Sequence, residues 1–182
     1  GDLLVDREED LDRIFSGYTR RICVHAESEA RILAREDLFA HQNTPPTHSI
    51  IRDPTAARLG IEMATKLANR YGRQLHVLHI STRDEVDALS EGRMTAAHHD
   101  TGARITGEAC PHHLFLDTGA YEEWGCYVQM NPPLRSPEHR LATWDALRSG
   151  DLMMVATDHA PHLPEEKERP YPASPSGMPG VQ

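Results

Sequence analysis

Short apolar runs alternate with longer segments of helical spacing along most of the chain. The apolar runs predict four strands, at residues 21–27, 74–82, 104–109 and 152–158. Apolar residues three or four positions apart predict helices at residues 6–18, 28–38, 55–71, 84–92 and 137–147. The third helix has clear ends, because Asp53 and Pro54 are typical of an N-cap and a first-turn proline and Gly72 is typical of a helix stop. This alternation predicts an α/β fold built on a parallel sheet.

The length of the chain limits how much of such a fold it can form. A complete (β/α)8 barrel needs about 250 residues, with about 200 as the lower limit, whereas this chain has 182 residues. The sequence therefore predicts either a small open sheet or half of a barrel. Residues beyond Pro161 are rich in proline, serine and charge, so we divide the chain into an α/β unit at residues 1–163 and a loop-rich tail at residues 164–182.

Composition argues against several classes of function. The chain has 19 Lys and Arg against 28 Asp and Glu, a net charge of −9, whereas proteins that bind nucleic acid carry a basic face. No run approaches the roughly 18 apolar residues of a membrane span, and residues 1–7 lack the pattern of a signal peptide. Cys23, Cys110 and Cys126 form no C-x-x-C pair. We therefore expect a cytoplasmic protein that binds neither nucleic acid nor membranes.

Three of the four predicted strands end in a residue that binds metals well: His25, His79 and Asp158. The carboxyl ends of parallel strands point to one face of the sheet, so these side chains are expected to converge. Two imidazoles and a carboxylate suit zinc, which lowers the pKa of bound water to about 7 and supports hydrolysis. A hydrogen-bonded histidine or a capping aspartate is the better interpretation of any one of them alone, but the coincidence on three strands favours a metal site.

The other histidines call for the opposite interpretation. Helical or loop positions without a partner pattern favour an exposed surface location for His41, His48, His98, His99 and His139. His76 lies three positions before His79, on a different side of an alternating strand, and we interpret it as structural. Of His112 and His113, one is expected to hydrogen-bond near the site and the other to be exposed. The sequence leaves open which is which.

Two charged residues near the candidate ligands have two interpretations each. Glu27 shares a strand face with His25, and it either orients that ligand or faces solvent. Arg135 either contacts an anionic substrate or caps the helix that follows it.

Five short motifs occur in an order that resembles the cyclic amidohydrolases, and among them most closely the dihydroorotase family. Allantoinase and dihydropyrimidinase are the near relatives. The motifs are His25-Ala26-Glu27, His79-Ile80-Ser81-Thr82, Cys110-Pro111-His112-His113-Leu114, Asn131-Pro132-Pro133-Leu134-Arg135 and Ala156-Thr157-Asp158-His159-Ala160-Pro161-His162.

The resemblance implies a partial (β/α)8 TIM barrel, with the four parallel strands as family strands five to eight and the helices outside. It implies a binuclear zinc centre in which His25 and His79 bind the second metal. Asp158 contacts the first metal and serves as the catalytic acid and base. The residues that the resemblance assigns to substrate binding are Asn131, His162, Ser176 and Gly177.

The chain departs from the family pattern in several places. Ser176 stands where the family usually has phenylalanine before Gly177. The His-x-His pair of the first strand, the bridging carboxylated lysine or aspartate, and the substrate arginine have no counterpart. Lys66 and Lys167 are the lysines of the chain, and neither follows a predicted strand. The resemblance therefore implies a carboxyl-terminal part of the enzyme, with the tail leading to a missing carboxyl terminus.

The activity implied is the reversible cyclisation of N-carbamoyl-L-aspartate to dihydroorotate in pyrimidine biosynthesis, with this segment inactive alone. One alternative is a hydrolase of the allantoinase or dihydropyrimidinase type. Another is a non-catalytic dihydroorotase-like domain that binds aspartate transcarbamoylase. A small-molecule substrate is the expected ligand, and a homodimer or an association with aspartate transcarbamoylase is the expected assembly.

Overall fold

The computed structural model describes residues 5–181. Residues 1–4, part of the opening segment without a signal-peptide pattern, and Gln182, the end of the tail, lie outside the described residues. The strands are β1 (Ile22–Val24), β2 (Gln74–Val77), β3 (Arg104–Ala109) and β4 (Met154–Val155). The helices are α1 (Glu8–Gly17), α2 (Glu29–Phe39), α3 (Thr47–Ile51), α4 (Pro54–Tyr71), α5 (Arg83–His99), α6 (Pro111–Phe115), α7 (Ala120–Trp124), α8 (Pro137–Ser149) and α9 (Pro164–Lys167), with a 3₁₀ helix at Gly125–Val128.

The four strands form one parallel sheet in the order β1-β2-β3-β4. Cys23 of β1 lies opposite His76 of β2, which lies opposite Thr106 of β3, and Ala109 pairs with Val155 of β4. Sequential parallel strands need a crossover between them, and helices supply each one. The predicted α/β fold with a parallel sheet and outer helices is confirmed.

The core lies between the sheet and the helices α4 and α5. Leu75 of β2, Leu67 of α4 and Leu89 of α5 are fully buried there. The predicted ends of α4 are also confirmed. The Asp53 side chain accepts a hydrogen bond from the Ala56 amide at 2.9 Å, and Gly72 ends the helix at φ 62°.

β1, β2 and β4 are shorter than predicted, because the polar residues at the end of each of these predicted strands do not form the backbone hydrogen bonds of the sheet. β1 ends at Val24, β2 at Val77 and β4 at Val155, so the candidate ligands lie on the loops that follow. The fourth predicted helix, at residues 84–92, corresponds to α5, and its predicted end at residue 92 is wrong. Gly92 packs against Thr65 inside the helix, and α5 continues to His99, with Asp100 as its C-cap at φ 46°.

The described segment after Pro161, residues 162–181, contains α9 and otherwise lacks regular structure, but it is tightly packed. The Lys167 ammonium group donates to the carbonyls of Gln129, Pro175 and Gly177 at 3.1, 2.8 and 2.9 Å. Three donors thus meet three acceptors, which satisfies a buried lysine. Tyr171 of the same segment is buried beside Ile32 and Ile51.

Candidate membrane spans were sought among the described residues. None of their helices combines the length and the apolar character needed to cross a bilayer.

Candidate metal and substrate site

His25 and His79 lie on the loops after β1 and β2 and face each other. His25 Nδ1 is 3.0 Å from His79 Nε2, and the rings meet edge to face with centroids 4.8 Å apart. Zinc–nitrogen bonds of about 2.0–2.1 Å in tetrahedral geometry place two ligand nitrogens about 3.3 Å apart. The two imidazoles are therefore spaced close to what two ligands of one ion require.

The backbone is strained at two of the three candidate ligands. His79 has φ 37° and Asp158 has φ 45°, in the left-handed region that residues other than glycine rarely adopt. Such conformations cost of order 1 kcal/mol or more and concentrate at functional sites. Among residues 5–181, the other non-glycine residue with positive φ is Asp100, which caps the end of a helix, where the left-handed conformation is ordinary. The strain at His79 and Asp158 therefore falls on the two loops that carry these candidate ligands.

Charge and burial keep His79 neutral. Burial and the neighbouring His25 lower the pKa of His79 to about 4, against the opposing effect of the Asp158 and Glu27 carboxylates. A neutral imidazole is the form that binds a metal. The Nδ1 atom of His79 is buried and has no hydrogen-bond partner among residues 5–181.

Glu27 orients His25. Its carboxylate accepts a hydrogen bond from His25 Nε2 at 2.9 Å and another from the Arg52 guanidinium group, and its side chain is 1% exposed. Burial alone raises the pKa of Glu27, but the bond from His25 and the charge of Arg52 outweigh it and hold the pKa at about 2. With Nε2 donating to Glu27, His25 presents a bare Nδ1 towards His79. Glu27 therefore contacts His25 and does not face solvent.

The metal-ligand set is incomplete within the part of the chain that the structure describes. No group of three or more His, Cys, Asp and Glu side chains there is arranged to hold a metal ion. His25 and His79 are in contact, whereas Asp158 acts on His79 through its charge. The residues present therefore fit two positions of a zinc site and not a whole one.

The candidate substrate residues form two groups. Asn131 lines a cavity of about 570 Å³ together with His25, Glu27 and Arg52. His162 Nε2 donates to the Ser176 carbonyl at 3.1 Å, and Gly177 follows in the same loop. Gln129 connects the groups, because its carbonyl accepts from the Gly177 amide at 2.9 Å. The two segments therefore lie side by side.

Sequence comparison finds relatives that are dihydroorotases. The chain is 34% identical to dihydroorotase from Methanosarcina mazei, over 97% of this chain and 39% of the relative. It is 35% identical to dihydroorotase from Methanosarcina acetivorans, over 87% of this chain and 34% of the relative. This chain is homologous to part of dihydroorotase. The predicted resemblance is confirmed, and the chain spans about two fifths or less of the length of these curated relatives.

Structural comparison agrees with a partial fold. Dihydropyrimidinase from Brevibacillus agri superposes with a TM-score of 0.86 and 27% identity, over 98% of this chain and 40% of that one. No family model matches the chain. The similarity supports the prediction that the four strands of this dihydroorotase homologue are part of a barrel.

Two histidines of the dihydroorotase homologue are not where the sequence predicts them. His48 is buried and its Nε2 lies 2.8 Å from Asn131 Oδ1, so the predicted surface position is wrong. His139 is half-buried and its Nδ1 accepts a hydrogen bond from the Arg83 amide at 3.2 Å. A five-residue helix is too short to show periodicity, so nothing in the pattern marks His48 as buried.

The predicted exposed positions of the other three histidines, His41, His98 and His99, are confirmed.

His112 and His113 are both buried, so neither is the exposed member that the sequence predicts. His112 Nε2 donates to the Pro179 carbonyl at 2.9 Å, and His113 Nε2 donates to the Pro132 carbonyl at 3.1 Å. Both rings therefore fix loops around the site.

His76 lies in β2, and Arg135 lies in the loop before α8, and both are buried near the site. His76 contacts Thr106 at 2.7 Å and Glu108 at 2.9 Å, which confirms the prediction that His76 has a structural role.

Arg135 is buried and donates to the Ser81 hydroxyl at 3.1 Å and to the Arg52 carbonyl. Arg135 thus joins the loop at Ser81 to the loop at Arg52. These contacts differ from both predicted roles, which are to contact an anionic substrate or to cap the following helix.

Proposed function

We propose that this chain is part of a dihydroorotase that catalyses the reversible cyclisation of N-carbamoyl-L-aspartate to dihydroorotate in pyrimidine biosynthesis. The observation that carries the proposal is the pair of imidazole nitrogens 3.0 Å apart at the carboxyl ends of neighbouring strands. Homology to dihydroorotases over 97% of the chain supports the choice of reaction. The three cysteines are free, which fits a cytoplasmic location.

The metal centre belongs to this proposal as a binuclear zinc site that the complete barrel assembles. His25 and His79 would hold one ion and Asp158 would contact the other, while the first-strand and bridging ligands come from outside this chain. Zinc in such a centre lowers the pKa of water to about 7 and polarises a carbonyl oxygen.

The residues of this chain then have distinct tasks in the hydrolytic direction. The Asp158 carboxylate takes a proton from the attacking water and gives it to the ring nitrogen as the ring C–N bond breaks. Asn131 and His162 bind the substrate by hydrogen bonds, and Ser176 and Gly177 form the loop beside His162. Glu27 keeps His25 in the tautomer that leaves Nδ1 bare.

Substrate competition tests the proposal in the complete polypeptide. We expect kcat/KM for dihydroorotate to exceed that for dihydrouracil and allantoin by at least about 100-fold, because a site built to bind a polar group rejects analogues without it. A preference for dihydrouracil would support the second candidate, a dihydropyrimidinase, which the Brevibacillus agri similarity favours. Absence of turnover with bound zinc would point to the non-catalytic domain, whose predicted partner is aspartate transcarbamoylase.

The isolated chain is expected to bind zinc weakly or not at all and to show no ring closure. Residues 5–181 present two imidazoles in contact and no group of three ligands, whereas a catalytic zinc ion needs three protein ligands. Calorimetric zinc titration and an assay of N-carbamoyl-L-aspartate cyclisation measure both quantities. Turnover at enzyme-like rates would show that the missing strands are not needed.

Glu27→Gln in the complete enzyme is expected to reduce zinc affinity by about 10–100-fold, as is usual for removal of a carboxylate that orients a histidine ligand. The amide retains the size of the side chain but loses the charge that fixes His25. Competition with a chromogenic chelator measures the affinity. Glu123→Gln is the matched control, because Glu123 is exposed on α7. Equal affinities in both variants would contradict the orienting role.

A further inference from the structure

His48 is a buried histidine of α3 that contacts the segment carrying Asn131. Its Nε2 atom lies 2.8 Å from Asn131 Oδ1 and 3.0 Å from the Met130 carbonyl oxygen. The Tyr171 ring packs edge-on against the imidazole, with centroids 6.0 Å apart. The ring is therefore held from two sides, by the segment at 130–131 and by the tail.

The two contacts determine where the proton of His48 lies. A main-chain carbonyl can only accept a hydrogen bond, so the Nε2 atom that contacts the Met130 carbonyl must carry hydrogen. The same N–H reaches Asn131, and the atom of the Asn131 amide that faces it must therefore be the oxygen. Burial lowers the pKa of His48 to about 4, which keeps the ring neutral at physiological pH.

This bond also determines where the other end of the Asn131 amide lies. An amide is planar, so an oxygen held by His48 leaves the NH2 group on the opposite side. Within residues 5–181 that NH2 group has no hydrogen-bond partner, and Asn131 is half-buried on the wall of the 570 Å³ cavity. Both donors of the NH2 group are therefore available at position 131.

We propose that His48 is a positioning residue that holds the Asn131 amide with its NH2 group towards the cavity, so that position 131 binds a hydrogen-bond acceptor of the substrate. The acceptor class is a carboxylate or carbonyl oxygen, which a flipped amide would repel. This inference rests on the proposed function, because it assigns one contact of that substrate. Without His48, the amide is free to rotate and spends part of its time with its oxygen towards the ligand.

Kinetics of the complete polypeptide test the role with three variants. His48→Phe keeps an aromatic ring in the buried position but removes the Nε2–H donor. We expect this variant to raise KM for dihydroorotate about 10-fold, which is the effect of losing one neutral hydrogen bond, with kcat changed less than about 3-fold. His48→Gln restores a donor and is expected to recover most of the affinity. His41→Phe changes an exposed histidine and serves as the control. Unchanged KM in His48→Phe, or equal losses in His48→Phe and His48→Gln, would overturn the proposal.

Nitrogen NMR of protein labelled with ¹⁵N-histidine tests the geometry without any activity. The His48 signals, assigned by their loss in His48→Gln, are expected to show a neutral ring protonated at Nε2 from pH 6 to 8, and to move in Asn131→Ala. A ring protonated at Nδ1, or one charged in this range, would overturn the proposal. Failure of the wild type to convert dihydroorotate would instead reject the proposed function, and the tautomer would still decide whether His48 orients Asn131.

Discussion

Asp158→Asn in the complete enzyme is expected to reduce turnover by about 10²–10⁴-fold, the range that general acid–base catalysis contributes. The amide has nearly the same size as the carboxylate but cannot take up a proton from water and return it to the leaving nitrogen. Asp158 follows β4 in a strained conformation with φ 45°, and its charge acts on His79. Steady-state kinetics with dihydroorotate measure the effect.

His162→Ala is the contrasting variant for this prediction. His162 hydrogen-bonds to the Ser176 carbonyl, whereas His25 and His79 contact each other, so removal of His162 is expected to raise KM while zinc content stays normal. Atomic absorption on both purified variants reports the metal. Near-normal turnover of Asp158→Asn, or loss of zinc from His162→Ala, would contradict the assigned roles.

Local signals explain why the sheet and its main helices could be predicted from sequence. The ends of α4 depend on Asp53 and Gly72, which act on backbone groups within a few residues of themselves. The strands are apolar because a parallel sheet is covered on both faces. The positions of His25 and His79 follow from the same pattern, since a polar residue after a buried strand must lie at the carboxyl end of the sheet.

Distant contacts explain what could not be predicted. His48 is buried by residues 83 positions away in sequence, and nothing in the local pattern of a five-residue helix reveals that partner. The tail is rich in proline and charge, yet Lys167 is buried because three main-chain carbonyls surround its ammonium group. Composition describes the backbone conformation of such a segment but not what it packs against.

The loop after β1 depends on a close approach by α4, and this dependence leads to a large expected effect on stability. A Cβ atom at Gly60 would lie 2.5 Å from the Ala26 carbonyl carbon, 2.7 Å from its oxygen and 2.7 Å from the Glu27 amide nitrogen. These are backbone atoms that no side-chain rotation can move. Gly60→Ala is therefore expected to lower the free energy of unfolding by about 1–3 kcal/mol, as overpacking usually does, despite the gain in helix propensity of about 1 kcal/mol.

Gly17→Ala separates the steric effect at Gly60 from the general effect of removing a helical glycine. Gly17 is the last residue of α1, and a Cβ atom there would have no heavy atom within 4 Å. We expect this variant to unfold at the same urea concentration as the wild type or slightly above it, because alanine restricts the unfolded chain more than glycine does. If both variants unfold like the wild type, α4 can move away from the loop without cost. If Gly60→Ala alone is destabilised, and if it also binds zinc more weakly in the complete polypeptide, the helix is what holds His25 and Glu27 in place.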